Sequence, residues 1–583
     1  MTPLHFDGCF GWYHAAQGQR AVLLCNAIGH EALWTHAGLA RLAERLAAQG
    51  VPVLRFDYPG TGDSADPDHA GAPAPGTSCI DAWLAGIGAA GKLLRRMSGA
   101  QELVLLGVRG GASLAALAAE RRVAGLRVDA LALLAPVASG RMLVREMKMI
   151  AQTWRSLAGR AVESGPAPGT GQQAGIDILG IHFSGPVVDG LGGLDLLDAP
   201  RAPAPRILVA GSEPQVDPLA HHYGTLGAQV RVVPFPEVID WLQDPLHGTP
   251  PEATFAAVAG WIADMAPAAP AGEPGPGGGA MVAAQASCLC SGEWMETPVR
   301  FGQGLFGMLC EPLGARIERP AVLINNSGGT HHVGAGRCGV MLARRLAARG
   351  VASFRIDVRG IGDASVGAQA IAAVPADPEG YRDAITACDW LLAHGHREVV
   401  AFGVSYGANV SLHAAGAHPG VVGAVLVNLQ RLLRREPFTR PRWLIHGRSA
   451  PTAEEGTPGI NAASVLPKPA AHEQREIEDL LRTLDARGTV LRLLFGPDDP
   501  GPFELARFFG PTLAGLAGFS QLQIETVAGL DHGMLNPPGR ARVIDYCVDL
   551  LCGPLHPGAD LRDRLQRVAE PWRRMPDCRG RCG

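Results

Sequence analysis

The chain repeats itself. Leu42 to Val51 read LAERLAAQGV and Leu342 to Val351 read LARRLAARGV, identical at eight of ten positions and offset by 300. The match resumes at the same offset, with RFDYPGTGDS from Arg55 to Ser64 and RIDVRGIGDA from Arg355 to Ala364. A period of this length exceeds any solenoid unit and implies two copies of a whole domain. The 583 residues agree, being too many for one hydrophobic core.

A linker falls where a duplication needs one. Residues 266–286 are almost entirely Pro, Gly and Ala, with Glu273 as the sole charge. Such a segment cannot bury enough apolar surface to offset the entropy lost on ordering. The expected organisation is an N-terminal domain over 1–265, the linker, a C-terminal domain over 287–555 and a tail over 556–583.

Each copy alternates short apolar runs with helical patterns. In the first, AVLLCN, VPVLRFD, ELVLLGV, DALALLAP and RILVAGS read as buried strands; in the second, AVLINN, VASFRID, EVVAFGV, GAVLVNLQ and LRLLFGP do. Between them, HAGLARLAERLAAQG is helical by its Leu and Ala spacing, with Gly50 as its stop. Strands that are apolar throughout, separated by helices, predict a mostly parallel sheet covered on both faces. Residues 138–205 and 431–488 break the alternation and are expected to form short cap insertions.

Bulk chemistry excludes several functions. A net charge of −4 and 5% aromatic residues give no footprint for nucleic acid. The N-terminal twenty residues lack the basic start and apolar run of a secretory signal, and no stretch has the length of a membrane span. Twelve scattered cysteines without paired CxxC sets argue against zinc and suggest free thiols in a reducing cytoplasm.

One motif carries chemistry. The strand EVVAF runs into Gly403-Val404-Ser405-Tyr406-Gly407, a G-x-S-x-G between a strand and a helix. A serine there sits on a tight turn with its Oγ above the sheet, and flanking glycines remove colliding side chains. Serine needs a base oriented by an acid, in the chain order Ser, acid, His. His532 follows the strand-like QLQIETVAG, and Asp498-Asp499 follow LRLLFG. The two aspartates are adjacent, so only one can face the histidine; Asp499 is favoured and Asp498 is the alternate. Asp531 is read as stabilising the histidine loop. An oxyanion hole is expected from the Tyr406 N–H and from Ser327 or Gly328 after the first central strand. His331 and His332 lie beyond, without a visible metal partner, and are read as surface loop residues.

These residues resemble the α/β-hydrolase superfamily, specifically the serine aminopeptidase-like, S33-type hydrolases. The segments GWYHAA, NAIGHEALWTHAGLARLAERLAAQG and LRFDYPGTGDS further resemble exosortase-associated and related tandem hydrolases. The resemblance covers nearly everything except the linker and tail. It implies two tandem α/β-hydrolase domains and hydrolysis of an ester or thioester, acyl-carrier and acyl-CoA substrates included, without metal or organic cofactor.

The first copy departs at the decisive position. Its elbow reads Gly107-Val108-Arg109-Gly110-Gly111, with arginine where the nucleophile stands. A guanidinium stays protonated and cannot attack a carbonyl. His247 takes the place of His532, and Asp217 is the nearest counterpart of the acid. Three readings of Arg109 stay open: a structural arginine matched by Asp217 or Glu213, an anion site at a helix N-terminus, or part of a scaffold supporting the other copy. For the whole chain, a serine hydrolase leads; acyl transfer from the same acyl-enzyme and a non-catalytic binding scaffold are the alternatives.

Overall fold

The computed structural model describes residues 1–66, 77–157, 175–265, 288–314, 319–364, 380–434 and 468–552. The expected linker and tail lie outside the described residues. The chain divides into two compact units, with the break at Pro298 and Val299.

The first unit holds strands β1 Thr2–Phe6, β2 Cys9–His14, β3 Arg20–Cys25, β4 Val53–Phe56, β5 Glu102–Val108, β6 Ala130–Leu134, β7 Ile176–Ile178, β8 Ile181–Phe183, β9 Arg206–Ala210 and β10 Gln229–Val233. Eight form one sheet in the order β1-β2-β4-β3-β5-β6-β9-β10. β1, β2 and β4 pair antiparallel; from β4 onward every pairing is parallel. β5 is buried at all seven positions, which is why ELVLLGV carries no polar alternation: helices cover both its faces. β7 and β8 pair as a hairpin outside this sheet.

A second sheet, most of it in the second unit, repeats the plan with β11 Leu289–Cys290, β12 Trp294–Phe301 (which crosses the break), β13 Leu305–Pro312, β14 Ala321–Ile324, β15 Ser353–Asp357, β16 Val399–Val404, β17 Val421–Val427, β18 Val490–Phe495 and β19 Leu522–Thr526. Their order is β11-β12-β13-β15-β14-β16-β17-β18-β19, parallel from β15 to β19. Each unit is thus a mostly parallel sheet flanked by helices.

The repeated sequence makes repeated geometry. The helices His30–Ala48 and Cys338–Ala347 end on the matched Gly-Val pair, where Val51 and Val351 each donate N–H to the carbonyl five residues back, Leu46 and Leu346, at 3.0 Å. That bond helps close the helix end, where the same carbonyl also accepts the N–H of Gln49 or Arg349 at 3.0 Å. The second matched segment turns around an aspartate. Asp63 N–H donates to Asp57 at 3.0 Å and Asp363 N–H to Asp357 at 2.9 Å. A Cβ at Gly62 or Gly362 would lie 1.9 or 2.2 Å from that carboxylate, so the close approach requires glycine.

The insertions differ. In residues 138–205 the described part is a helix Gly140–Leu157, the β7–β8 hairpin and a helix Gly185–Gly192. Residues 435–467 of the second insertion lie outside the described residues. Its last part, expected in a cap, is a helix Ala471–Ala486 whose Leu480 abuts Gly416 on the helix Tyr406–Ala417. Ile477, Leu481 and Leu484 are buried there, so apolar spacing makes this segment scaffold.

Candidate active site

Ser405 follows β16 and caps the helix Tyr406–Ala417 with φ 56° and ψ −111°. A side chain at φ > 0 is strained by about 1 kcal/mol or more and persists only where surroundings fix it. They do so here. Ser405 N–H donates to Val427 O of β17 at 2.8 Å. A Cβ at Gly403 would meet Gly407 O at 2.0 Å, and one at Gly407 would meet Asn326 O at 2.3 Å. The glycines of the motif therefore allow the turn to close on itself and on the loop after β14.

Three predicted residues meet in one line. His532 Nε2 lies 2.9 Å from Ser405 Oγ, and its Nδ1 lies 2.6 Å from Asp499 Oδ2. The other oxygen of Asp499 accepts Gly501 N–H at 2.8 Å, which fixes the carboxylate plane. The Asp499 side chain is buried. Asp498, the alternate, is exposed and is not bonded to His532. Asp531 accepts N–H bonds from Gly533, Leu535 and Asn536 at 3.3, 3.0 and 2.7 Å, the loop-holding geometry expected of it.

The loop after β14 is anchored from below. Asp357, at the end of β15, accepts Asn326 Nδ2 at 2.8 Å and His332 N–H at 2.7 Å on one oxygen. Its other oxygen faces His332 Nδ1 at 2.7 Å and Asp363 N–H at 2.9 Å. Asn326 Oδ1 in turn accepts Val358 N–H at 2.8 Å. Ser327 and Gly328 stand half-buried on this loop, and its Asn326 carbonyl touches the elbow at Gly407, while Tyr406 opens the elbow helix. The reading of His331 and His332 as surface residues is corrected: both are buried, at 7% and 4% exposure. A buried carboxylate requires partners, and His332 is one of them. His332, Asp357 and Asp363 also bring ligating atoms within 4.8 Å of one another. Four N–H donors already converge on Asp357, which makes the cluster a hydrogen-bond hub and a poor cation seat.

Sequence reasoning missed two amides. Asn428 and Gln430 follow β17; the Gln430 amide lies 3.2 Å from His532 Nδ1. With Nδ1–H directed at Asp499, Gln430 meets it favourably through Oε1, the amide turned over. No motif marks either residue.

In the first unit Arg109 holds the same turn, with φ 52° and ψ −120°. Its expected partners, Asp217 and Glu213, are exposed on the helix Glu213–Thr225. The partners are instead Glu31, 3.0 Å from Nε, and Glu146, whose two oxygens lie 2.7 and 2.6 Å from Nη2. Glu31 follows β3, and Glu146 comes from the inserted helix, so the fold delivers carboxylates from two segments that spacing along the chain does not connect. Burial works against the charge on Arg109, but the two carboxylates outweigh it and raise its pKa. Burial pushes the Glu31 carboxyl up and the neighbouring His30 down to about 4, with Arg109 adding to the latter. Phe183 of the hairpin packs on Gly29 in the same loop, so the insertion covers the elbow. His247 is exposed.

The profile of the family described as Serine aminopeptidase, S33, matches residues 19–175 and 318–480, more than half of the chain. The chain belongs to this α/β-hydrolase family. Both matched segments fall on the two sheet-and-helix units, so this S33-family chain is a tandem α/β-hydrolase. No curated protein matches it. Solved structures similar to it include Est1E from Butyrivibrio proteoclasticus with ferulic acid bound, at 18% identity and TM-score 0.30, over 45% of this chain and 98% of that one. Proline iminopeptidase from Mycobacterium smegmatis is similar at 19% identity and TM-score 0.30, over 45% and 97%. Among the described residues, no helix of this S33-family chain is long and apolar enough to cross a membrane.

Proposed function

We propose that the second unit is a serine hydrolase that cleaves an ester or thioester through an acyl-enzyme on Ser405, and that the first unit is not catalytic. The observation that carries this is the continuous line Ser405 Oγ, His532, Asp499 at 2.9 and 2.6 Å. In the reaction, Ser405 Oγ attacks the acyl carbonyl while its proton moves to His532 Nε2. Asp499 holds Nδ1–H and stabilises the imidazolium that forms. The carbonyl oxygen becomes an oxyanion, received by the Tyr406 N–H and an N–H at Ser327 or Gly328. Collapse expels the alcohol or thiol, which leaves with the proton from His532. Water then attacks the acyl-enzyme with His532 again as base, releasing the acid and restoring Ser405.

Substrates of acyl-CoA or acyl-carrier type fit this chemistry, since a thiolate leaves readily. Acyl transfer shares every step until water enters, so the acceptor alone separates it from hydrolysis. We place the reaction in the cytoplasm on the cysteine pattern of the sequence. For the first unit, the two carboxylates on Arg109 favour a structural role over capture of an external anion, which would have to displace Glu146.

The test is hydrolysis of p-nitrophenyl esters of graded chain length, acyl-CoA thioesters and aminoacyl p-nitroanilides by wild type and Ser405→Ala. The proposal expects ester or thioester turnover in wild type and a loss on the order of 10⁶ in kcat for the variant. Turnover that survives in Ser405→Ala contradicts it, and p-nitroanilides as the sole substrates would make the protein a peptidase.

A further inference from the structure

His532 is placed by a loop, and its side chain is 40% exposed. Packing alone therefore holds the ring weakly, and the backbone beneath it must be fixed by something else. Asn428 does this. It follows β17, is fully buried at 0% exposure, and adopts φ 50°. Its Nδ2 donates to Asp531 O and His532 O, each at 2.9 Å. Its Oδ1 accepts Gly496 N–H at 2.9 Å, three residues before Asp499. Its own N–H donates to Leu494 O at 2.8 Å. The orientation of the amide is unambiguous, because the two carbonyls only accept and the Gly496 N–H only donates. One side chain thus ties both carbonyls at the histidine to the strand that leads to the acid. The serine strand lies beside it, since Ser405 N–H bonds to Val427 O.

The chain contains its own comparison. In the first unit Arg109 N–H donates to Leu134 O at 2.9 Å, and the next residue, Ala135, has φ 46° and donates to Ala210 O at 2.7 Å. Ala135 therefore stands where Asn428 stands, with the same left-handed turn and no amide. The unit with the serine has the clamp; the unit with arginine lacks it.

From this we infer that Asn428 is a positioning residue for the reaction proposed above. It holds the His532 backbone in register with Asp499 and Ser405, so that the base meets the nucleophile without rearranging. The inference rests on that reading of Ser405.

The test uses the full chain and four proteins: wild type, Asn428→Ala, Asn428→Gly and Asn428→Asp. Glycine relieves the positive φ, so it removes the clamp without adding strain. Aspartate keeps the acceptor for Gly496 but faces two carbonyls with a carboxylate. The measurements are kcat and KM on a p-nitrophenyl ester, the rate of inactivation by a fluorophosphonate, and the urea unfolding midpoint. Glycine and alanine are expected to lower kcat and the inactivation rate by about 10- to 100-fold, with KM within about twofold. Aspartate is expected to lower them too, and its charge should move the acid limb of the kcat/KM profile to higher pH. A folded Asn428→Gly protein with kcat within twofold of wild type overturns the role of Asn428, as does a loss confined to KM. A wild type that neither turns over the ester nor reacts with the phosphonate overturns the underlying reading, and this role with it.

Discussion

Arg109 and Ser405 occupy the same strained turn, with φ and ψ of 52° and −120° against 56° and −111°. The elbow is present in both units, and a hydroxyl side chain stands on it in one. In the second unit the turn aims an Oγ at a histidine 2.9 Å away. In the first it aims a guanidinium at two carboxylates.

That difference predicts a stability effect. The Arg109 and Glu31 side chains are 15% and 9% exposed, so removing the cation strands a carboxylate in a poorly solvated place. Arg109→Ala should lower unfolding free energy by about 2–4 kcal/mol, and adding Glu31→Gln should recover part of that loss. Urea titration of the three proteins checks this. Restoring a serine should not restore chemistry: Arg109→Ser in a Ser405→Ala background is expected to stay at the background rate in ester hydrolysis, because His247 and Asp217 are exposed and Ala135 offers no clamp.

The two aspartates after β18 should separate sharply. Asp499→Asn leaves the geometry but removes the charge that orients His532, and a loss of about 10³- to 10⁴-fold in kcat is expected. Asp498→Asn, an exposed change, should alter kcat by less than about threefold. Steady-state kinetics on one ester decide between them.

Much of this was legible from the chain alone. Ser405, His532 and Asp499 could be named because the nucleophile motif lies between a strand and a helix, and because the fold fixes the order of the other two. The duplication was legible because identical turns need identical glycines and aspartates, as at Gly62 with Asp57 and Gly362 with Asp357. Asn428 was not legible: a lone amide after an apolar strand has no spacing signature, and its partners are 103 and 104 residues away. The partners of Arg109 are hidden from the sequence for a related reason. Correspondence with the acid of the second copy points to the segment of Asp217, whereas the sheet order brings Glu31 beside the elbow and the insertion brings Glu146. His332 was read as exposed because a loop histidine usually is; burial of Asp357 beneath it reverses that.

The paired aspartates allow an internal control. Asp357→Asn replaces an acceptor by a donor among N–H groups of Asn326, His332 and Asp363, which should destabilise by about 1–3 kcal/mol. It should also lower kcat, by roughly 10- to 100-fold, by loosening the Ser327–Gly328 loop. Asp57→Asn in the first unit should destabilise similarly and leave kcat unchanged. Parallel kinetics and unfolding on both variants separate positioning from plain stability.

Two buried histidines set an acid limit on stability. Burial lowers the pKa of His30 and of His413 from 6.5 to about 4; the His413 ring also contacts Leu432 O at 2.7 Å. A depressed pKa means the folded protein binds fewer protons than the unfolded chain in this range. The contribution is therefore complete above pH 6.5 and is lost as pH falls toward 4, by roughly 3 kcal/mol for each group. Urea midpoints of wild type should fall across that window, and His30→Asn and His413→Asn should each show a shallower fall. Slopes parallel to wild type would count against this assignment.

The most direct test of one surviving nucleophile is covalent. Full-length protein is treated with a fluorophosphonate at neutral pH, and the adduct is counted by intact mass and located by peptide mapping. The account predicts one adduct per chain, on Ser405, and none in Ser405→Ala. An unlabelled, folded wild type, or an adduct on any residue of the first unit, would contradict it.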